Sequence, residues 1–220
     1  MTTRSARARF RAKAALAATT VLAASILTGC GGGPVADPTG DELYAQSEEV
    51  YFEYREFVNG LLAVIHDGPW EVRDSGAYGM VPSGGGCGDG WNFSLSRATA
   101  VDPAELDRLR EDAADYLTDG GYQVEGMDAG SSEVVSRDVI VREQGLFSFL
   151  TVTFVNNGNV LVVADTACHP GDHFELGDML FGDAQLAKGY LPREESPSDP
   201  LFFGITPDDP QFLPSPSPSP

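Results

Sequence analysis

The chain has 220 residues, with 33 acidic residues against 14 basic ones and a formal net charge of −19 when histidine is neutral. So large an excess of negative charge disfavours binding to nucleic acid, because the phosphates must be met by basic side chains. It also disfavours adsorption of the protein to an anionic membrane face.

The N-terminal thirty residues are organised like a secretory signal. Four arginines and one lysine lie within the first thirteen residues, and an apolar stretch follows over 14–29. That stretch is shorter than the roughly 20 apolar residues that span a bilayer. A basic region followed by a short apolar region and small residues predicts a signal peptide over residues 1–29. Its removal takes away five basic residues and no acidic one, so the net charge becomes about −24.

The apolar stretch ends in Leu27-Thr28-Gly29-Cys30, which resembles the lipobox of bacterial lipoproteins. In that class the cysteine thiol carries a diacylglycerol, and the chain is cut directly before it. The resemblance implies that two acyl chains on Cys30 hold the protein firmly at the extracytoplasmic face of the cell membrane. Residues 30–40 then form the lipidated cysteine and a flexible tether with a reach of roughly 16–19 Å. The alternative is a plain cleaved signal followed by a chance cysteine.

The first predicted helix covers residues 41–66. Its apolar residues fall in one arc at 100° per residue, with glutamates on the opposite side. Thr39 and Glu42 fit a capping box at the start, and Gly68-Pro69 supply the stop. Phe52 falls on the polar face, where it could meet the C-terminal tail or a partner.

The second predicted helix has the clearest beginning in the chain. Asp102 is the expected N-cap, Pro103 occupies the first helical position, and Gly120-Gly121 end the helix. An apolar stripe runs along one side of this segment. The helix is therefore expected to pack on the same core as the first.

Alternating apolar and polar residues predict strands on both sides of the second helix. One begins at Trp91, and the others are expected at about 122–126, 134–142, 146–155 and 160–167. Asn156-Asn157-Gly158-Asn159 predicts a hairpin turn between the last two. We expect an α+β domain over residues 41–190, with two amphipathic helices packed on a mostly antiparallel sheet of four to five strands.

The two remaining cysteines, Cys87 and Cys168, favour a disulfide. Exported proteins fold in an oxidising compartment, where such pairs persist. Two buried free thiols or a redox pair are the alternatives, but a redox pair usually takes the form C-x-x-C, which the sequence lacks. One structural disulfide is therefore part of the expected fold.

Residues 191–220 differ in composition from the rest of the chain. They hold nine of the fifteen prolines and end in a Pro-Ser repeat, so an acidic Pro/Ser-rich disordered tail is expected. Leu201-Phe202-Phe203 is the exception and could dock on the domain.

Taken together, these features resemble small actinobacterial cell-envelope lipoproteins of the LppA kind. The resemblance covers about Cys30 to Pro170. It implies an envelope address and an α+β domain with a disulfide, but no established activity. The segments that carry it are the lipobox, the helix before Gly68-Pro69-Trp70, the Gly86-Cys87 loop, Gly120-Gly121-Tyr122 and Thr166-Ala167-Cys168.

The densest group of candidate metal ligands lies directly after Cys168. His169, Asp172, His173 and Glu175 could supply the three or four ligands that zinc requires. H-x-x-x-H brings both imidazoles to one side only in a helix, whereas Pro170-Gly171 favours a turn. A polar loop is therefore the main interpretation, and no metal site is assigned.

The sequence contains none of the common hydrolase signatures. We therefore expect a non-enzymatic binding or interaction module without a cofactor, acting on an envelope protein or a small ligand. Trp70 and Trp91 are its expected contact surface. The alternative is a metal-assisted envelope enzyme that uses His169, Asp172 and His173.

Overall fold

A computed structural model describes residues 36–74, 78–131, 133–182 and 193–205, which belong to one unit beginning at Ala36. The expected signal peptide and the lipidation site Cys30 lie outside these ranges, as does the end of the tail. The elements, in chain order, are α1 Gly40–Ile65, β1 Trp70–Val72, β2 Pro82–Ser83, β3 Asn92–Ala100, a 3₁₀ turn Pro103–Glu105, α2 Leu106–Asp119, β4 Glu125–Gly130, β5 Val135–Gln144, β6 Phe147–Val155, β7 Asn159–Thr166, α3 His173–Phe181 and β8 Glu194–Glu195.

Within the described residues the strands form one antiparallel sheet of eight. Seven of them follow the order β4-β5-β6-β7-β3-β1-β8, and β2 pairs with the start of β3. The predicted α+β class is confirmed, but the predicted four to five strands are too few. The difference is β1, β2 and β8, which are only two or three residues long. Such short segments carry too little alternation to be recognised in a sequence.

The core lies between one face of this sheet and the helices. Tyr54 of α1 stacks on Phe93 of β3 with ring centroids 6.0 Å apart, and Phe57 meets Phe147 of β6 at 5.6 Å. Helix α2 packs beside α1 and over β5 and β6. The apolar arcs predicted for both helices therefore face a common core.

The start of α1 differs from its prediction. Thr39 is the N-cap, but its side chain makes no capping hydrogen bond, so the expected box with Glu42 is wrong. The amide of Gly40 instead donates to Glu175 Oε1 at 2.8 Å. A carboxylate from α3 thus satisfies one of the free amides at this helix end.

The start of α2 follows its prediction. The Asp102 carboxylate accepts a hydrogen bond from the amide of Ala104 at 2.9 Å, and Pro103 opens a 3₁₀ turn that leads into the helix. The amide of Val101 donates to the carbonyl of Gly158 at 2.9 Å. This bond ties the beginning of α2 to the predicted hairpin between β6 and β7.

Residues 193–205 form part of the folded domain, so the expected boundary at residue 190 is wrong for this C-terminal segment. β8 pairs with β1, and the Phe203 ring lies 5.1 Å from Tyr51 and 6.4 Å from Phe52. The predicted docking of Leu201-Phe202-Phe203 is confirmed, because both phenylalanines pack against the core. Burial of these aromatic rings outweighs the disordering effect of the surrounding prolines.

Candidate functional site

The expected disulfide is present. Cys87 and Cys168 are joined with their Cα atoms 5.4 Å apart. The bond links the glycine-rich loop before β3 to the residues after β7. Trp91 and His169 form an additional antiparallel bridge beside it.

The expected contact surface at the two tryptophans is wrong. Trp70 and Trp91 are both fully buried. The indole N–H of Trp70 donates to the carbonyl of His66 at 2.9 Å, and that of Trp91 donates to the carbonyl of Pro170 at 2.9 Å. Both side chains therefore belong to the core, with their polar atoms satisfied inside the protein.

The four candidate metal ligands occupy separate structural positions. His169 stacks on Trp91 with centroids 4.8 Å apart, and burial lowers its pKa. Asp172 caps α3 by accepting from the amide of Phe174 at 2.7 Å, and Glu175 holds the Gly40 amide. His173 begins α3 and lies against Phe174. Across the described ranges, no group of three or more His, Cys, Asp or Glu side chains is arranged to hold a metal ion.

A buried network of charges lies beneath the C-terminal segment. Glu195 Oε1 accepts from Arg55 Nη2 at 2.8 Å and from Arg97 Nε at 2.5 Å, and Asp74 Oδ2 accepts from Arg97 Nη1 at 3.0 Å. All four side chains are at most 9% exposed. The Arg55 guanidinium also donates to the carbonyl of Tyr78. Two positive and two negative groups thus neutralise one another in a site that water barely reaches.

This network holds the fold together, since its partners come from α1, the loop after β1, β3 and β8. The Tyr78 hydroxyl donates to the carbonyl of Glu194 at 3.3 Å, which adds a further link to the C-terminal segment. Tyr51 lies in the same region, and burial raises its pKa to about 12. Arg55 Nε, Arg97 Nη2 and Asp74 Oδ1 have no partner among the described residues, but the ion pairs join four separate parts of the fold, so we assign the network to stability.

A cleft lies between the start of α2 and the sheet. It has a volume of about 320 Å³, at the lower end of the range for small-molecule sites. Strands β5 and β6 supply one wall, and the 3₁₀ turn and first turns of α2 supply the other. Its lining residues are Pro103, Leu106, Asp107, Arg110, Val135, Arg137, Phe154 and Asn156.

The walls of this cleft are held by contacts on both sides. Arg137 Nη1 donates to the Asp107 carboxylate, which joins β5 to α2. The Asn156 amide donates to the carbonyl of Val135 at 2.9 Å, and its side-chain amide donates to the carbonyl of Glu133 at 3.2 Å. The cleft is therefore formed by secondary structure and paired loops, which favours a preformed site.

Arg110 is the unusual residue of the cleft. Its Nε is buried, and it has no hydrogen-bond partner among the described residues. No ion pair with a described acidic residue occupies the guanidinium either, although the chain contains 33 acidic residues. A guanidinium that lines a cleft without an acidic partner can pair with an anionic group of a ligand.

The cleft combines this free guanidinium with an apolar wall. Phe154 is 3% exposed, and Leu106 and Val135 continue the apolar surface. The arrangement therefore combines a positive group with an apolar surface.

No protein-family model, curated protein or solved structure matches this chain. Among the helices within the described ranges, none is both long enough and apolar enough to cross a membrane.

The sequence did not single out the residues of this cleft. Arg110 and Arg137 are ordinary charged residues in a helix and a strand, and only the fold brings them together. The sequence contains one relevant signal. After residue 29 the chain carries only nine basic residues, so an arginine without an acidic partner is a candidate for binding an anionic group.

Proposed function

We propose that the protein is a lipid-anchored, non-enzymatic binding module at the extracytoplasmic face of the cell membrane. In this proposal the lipobox at Cys30 supplies the anchor, and residues 31–40 are the tether. The cleft between α2 and strands β5 and β6 binds a small ligand. The resemblance to small actinobacterial lipoproteins of the LppA kind is part of the same proposal.

The observation that carries the binding function is the Arg110 guanidinium, which lines a preformed cleft with an apolar wall and has no ion-pair partner among the described residues. A ligand with an anionic hydrogen-bond acceptor would pair with this group. The metal-assisted alternative lacks a comparable observation, because His169, Asp172 and His173 serve separate structural roles.

The anchor is tested with a Cys30→Ser variant expressed in its native host. The proposal expects the variant to leave the membrane fraction and to lose incorporation of labelled fatty acid. Glu194→Gln serves as the control, since it is an exposed substitution outside the lipobox and should keep the lipid. Equal labelling of the Cys30→Ser variant and the unmodified chain would contradict the anchor.

The binding function is tested by equilibrium dialysis against small molecules extracted from the host envelope. We expect one or more compounds to concentrate on the protein side, as detected by mass spectrometry. Arg110→Gln should abolish this enrichment. Arg142→Gln should preserve it, because Arg142 is paired with Glu125 on the opposite face of the sheet from the cleft. Equal enrichment by both variants would place binding outside the cleft.

A further inference from the structure

We infer that the cleft selects a small organic monoanion, namely a carboxylate attached to a flat or branched apolar body. This inference rests on the proposed binding function of the cleft and specifies the chemical class of its ligand. Charge, wall chemistry and volume each restrict that class independently.

The charge of the cleft favours a ligand with one negative charge. Arg110 and Arg137 are its two positive groups and Asp107 is its negative group, so the lining carries a net charge of +1. Asp107 already neutralises Arg137. Arg110 remains uncompensated, in a protein whose formal net charge is −19. One free guanidinium matches one carboxylate, and its planar fork can bind that group with two parallel hydrogen bonds.

The same balance argues against a phosphate dianion. A second negative charge would find no second unpaired guanidinium in the lining, because Arg137 is paired with Asp107. Asp107 itself would repel such a ligand at short range. A ligand with a positive charge is also disfavoured, because Arg110 would repel it. The Arg110 guanidinium would then still lack an acceptor.

The wall and the volume limit the rest of the ligand. Phe154, Leu106, Val135 and Pro103 present an apolar surface that favours aromatic or branched aliphatic groups. A volume of about 320 Å³ is at the lower end of the range for small-molecule sites, so it favours a compact ligand with the dimensions of benzoate over a long acyl chain.

The test uses the isotope-labelled full chain in detergent and follows NMR signals during titration with four probes. Benzoate has the expected charge and body, benzamide lacks the charge, acetate lacks the body, and phenyl phosphate carries the second charge. We expect benzoate to shift the Arg110 Nε–H signal and the backbone signals around Phe154. Its dissociation constant should be at least tenfold lower than that of each other probe.

Variants assign the effect to the cleft. Arg110→Gln should weaken benzoate binding at least tenfold, whereas Arg110→Lys should retain part of it through charge alone. Arg142→Gln should bind benzoate like the unmodified chain. A circular-dichroism melt of each variant confirms that the fold is intact before its affinity is interpreted.

Each contrary outcome has a distinct meaning. If benzamide or phenyl phosphate binds in the cleft as tightly as benzoate, the monoanion inference is overturned, while the cleft remains a binding site. If all four probes leave the Arg110 and Phe154 signals unchanged, the inference is overturned, and so is the assignment of ligand binding to this cleft.

Discussion

Replacing Glu195 with glutamine should destabilise the protein strongly while changing its shape very little. The Glu195 carboxylate is 6% exposed and accepts hydrogen bonds from both Arg55 and Arg97. The substitution leaves two buried guanidinium groups facing one remaining carboxylate, that of Asp74. Removal of one partner from a buried ion pair typically costs about 3–5 kcal/mol, and the amide oxygen of glutamine places the expected loss near the lower end.

Urea denaturation at neutral pH, followed by tryptophan fluorescence, measures this loss. Trp70 lies directly opposite Glu195 in the β1–β8 pair, so its emission reports on the affected region. Glu194→Gln is the matched control, because Glu194 is the exposed neighbour on the same strand. We expect the control to change the free energy of unfolding by less than about 0.5 kcal/mol. A loss for Glu195→Gln no larger than that of the control would refute the structural role of the network.

Three further predictions concern other parts of the fold. Cys87→Ser should lower the free energy of unfolding in urea by about 4–5 kcal/mol, because the disulfide joins residues 81 apart. Equal stability with and without reductant would contradict this. Gly158→Ala should cost more than about 1 kcal/mol in the same assay, since φ is +95° and a Cβ would lie 2.4 Å from the Val101 carbonyl oxygen. Gly126→Ala, with open space around it, should cost less. Burial raises the Tyr51 pKa to about 12, above the roughly 10 of an unfolded chain. Its contribution to stability is therefore full below pH 10 and declines towards pH 12, by up to about 1.4 kcal/mol per pH unit. A stability profile for Tyr51→Phe as steep as that of the unmodified chain would contradict this assignment.

The elements set by local chemistry could be predicted from the sequence. Asp102-Pro103 marks the start of α2 because an N-cap carboxylate and a fixed proline φ act within one turn. The predicted bounds of α1 differ from the observed ones by a single residue at each end. The hairpin around Gly158 follows equally from residues that are adjacent in the chain. In each case the interaction that determines the structure joins residues that are close together in the sequence.

The elements set by distant contacts could not be predicted in the same way. β8 pairs with β1, and its Glu195 meets two arginines from α1 and β3, but its two residues show no strand pattern of their own. α3 replaces the expected polar loop after Cys168, because the turn at Pro170-Gly171 is short and a helix begins directly after Asp172. Asp172 followed by Glu175 was an available helix-start signal, and Asp172 does cap α3.

The candidate site illustrates the same division. The disulfide could be predicted from the number of cysteines and the oxidising compartment expected for an exported protein. The burial of Trp70 and Trp91 could not be predicted, because it depends on contacts between residues that are distant in the sequence. Arg97 offered a partial signal, because it continues the inward alternation of Phe93 and Leu95. A charge at an inward position requires a buried partner, although the sequence alone does not name it.

The most direct test of the proposed function is native mass spectrometry of the full protein released gently from its host membrane. The account predicts a polypeptide that begins at Cys30, carries a diacylglycerol, and retains a dissociable small organic acid. The small acid should be absent from the Arg110→Gln variant and present in the Arg142→Gln variant. A protein without lipid, or one whose mass shows no dissociable ligand in any variant, would contradict the proposal.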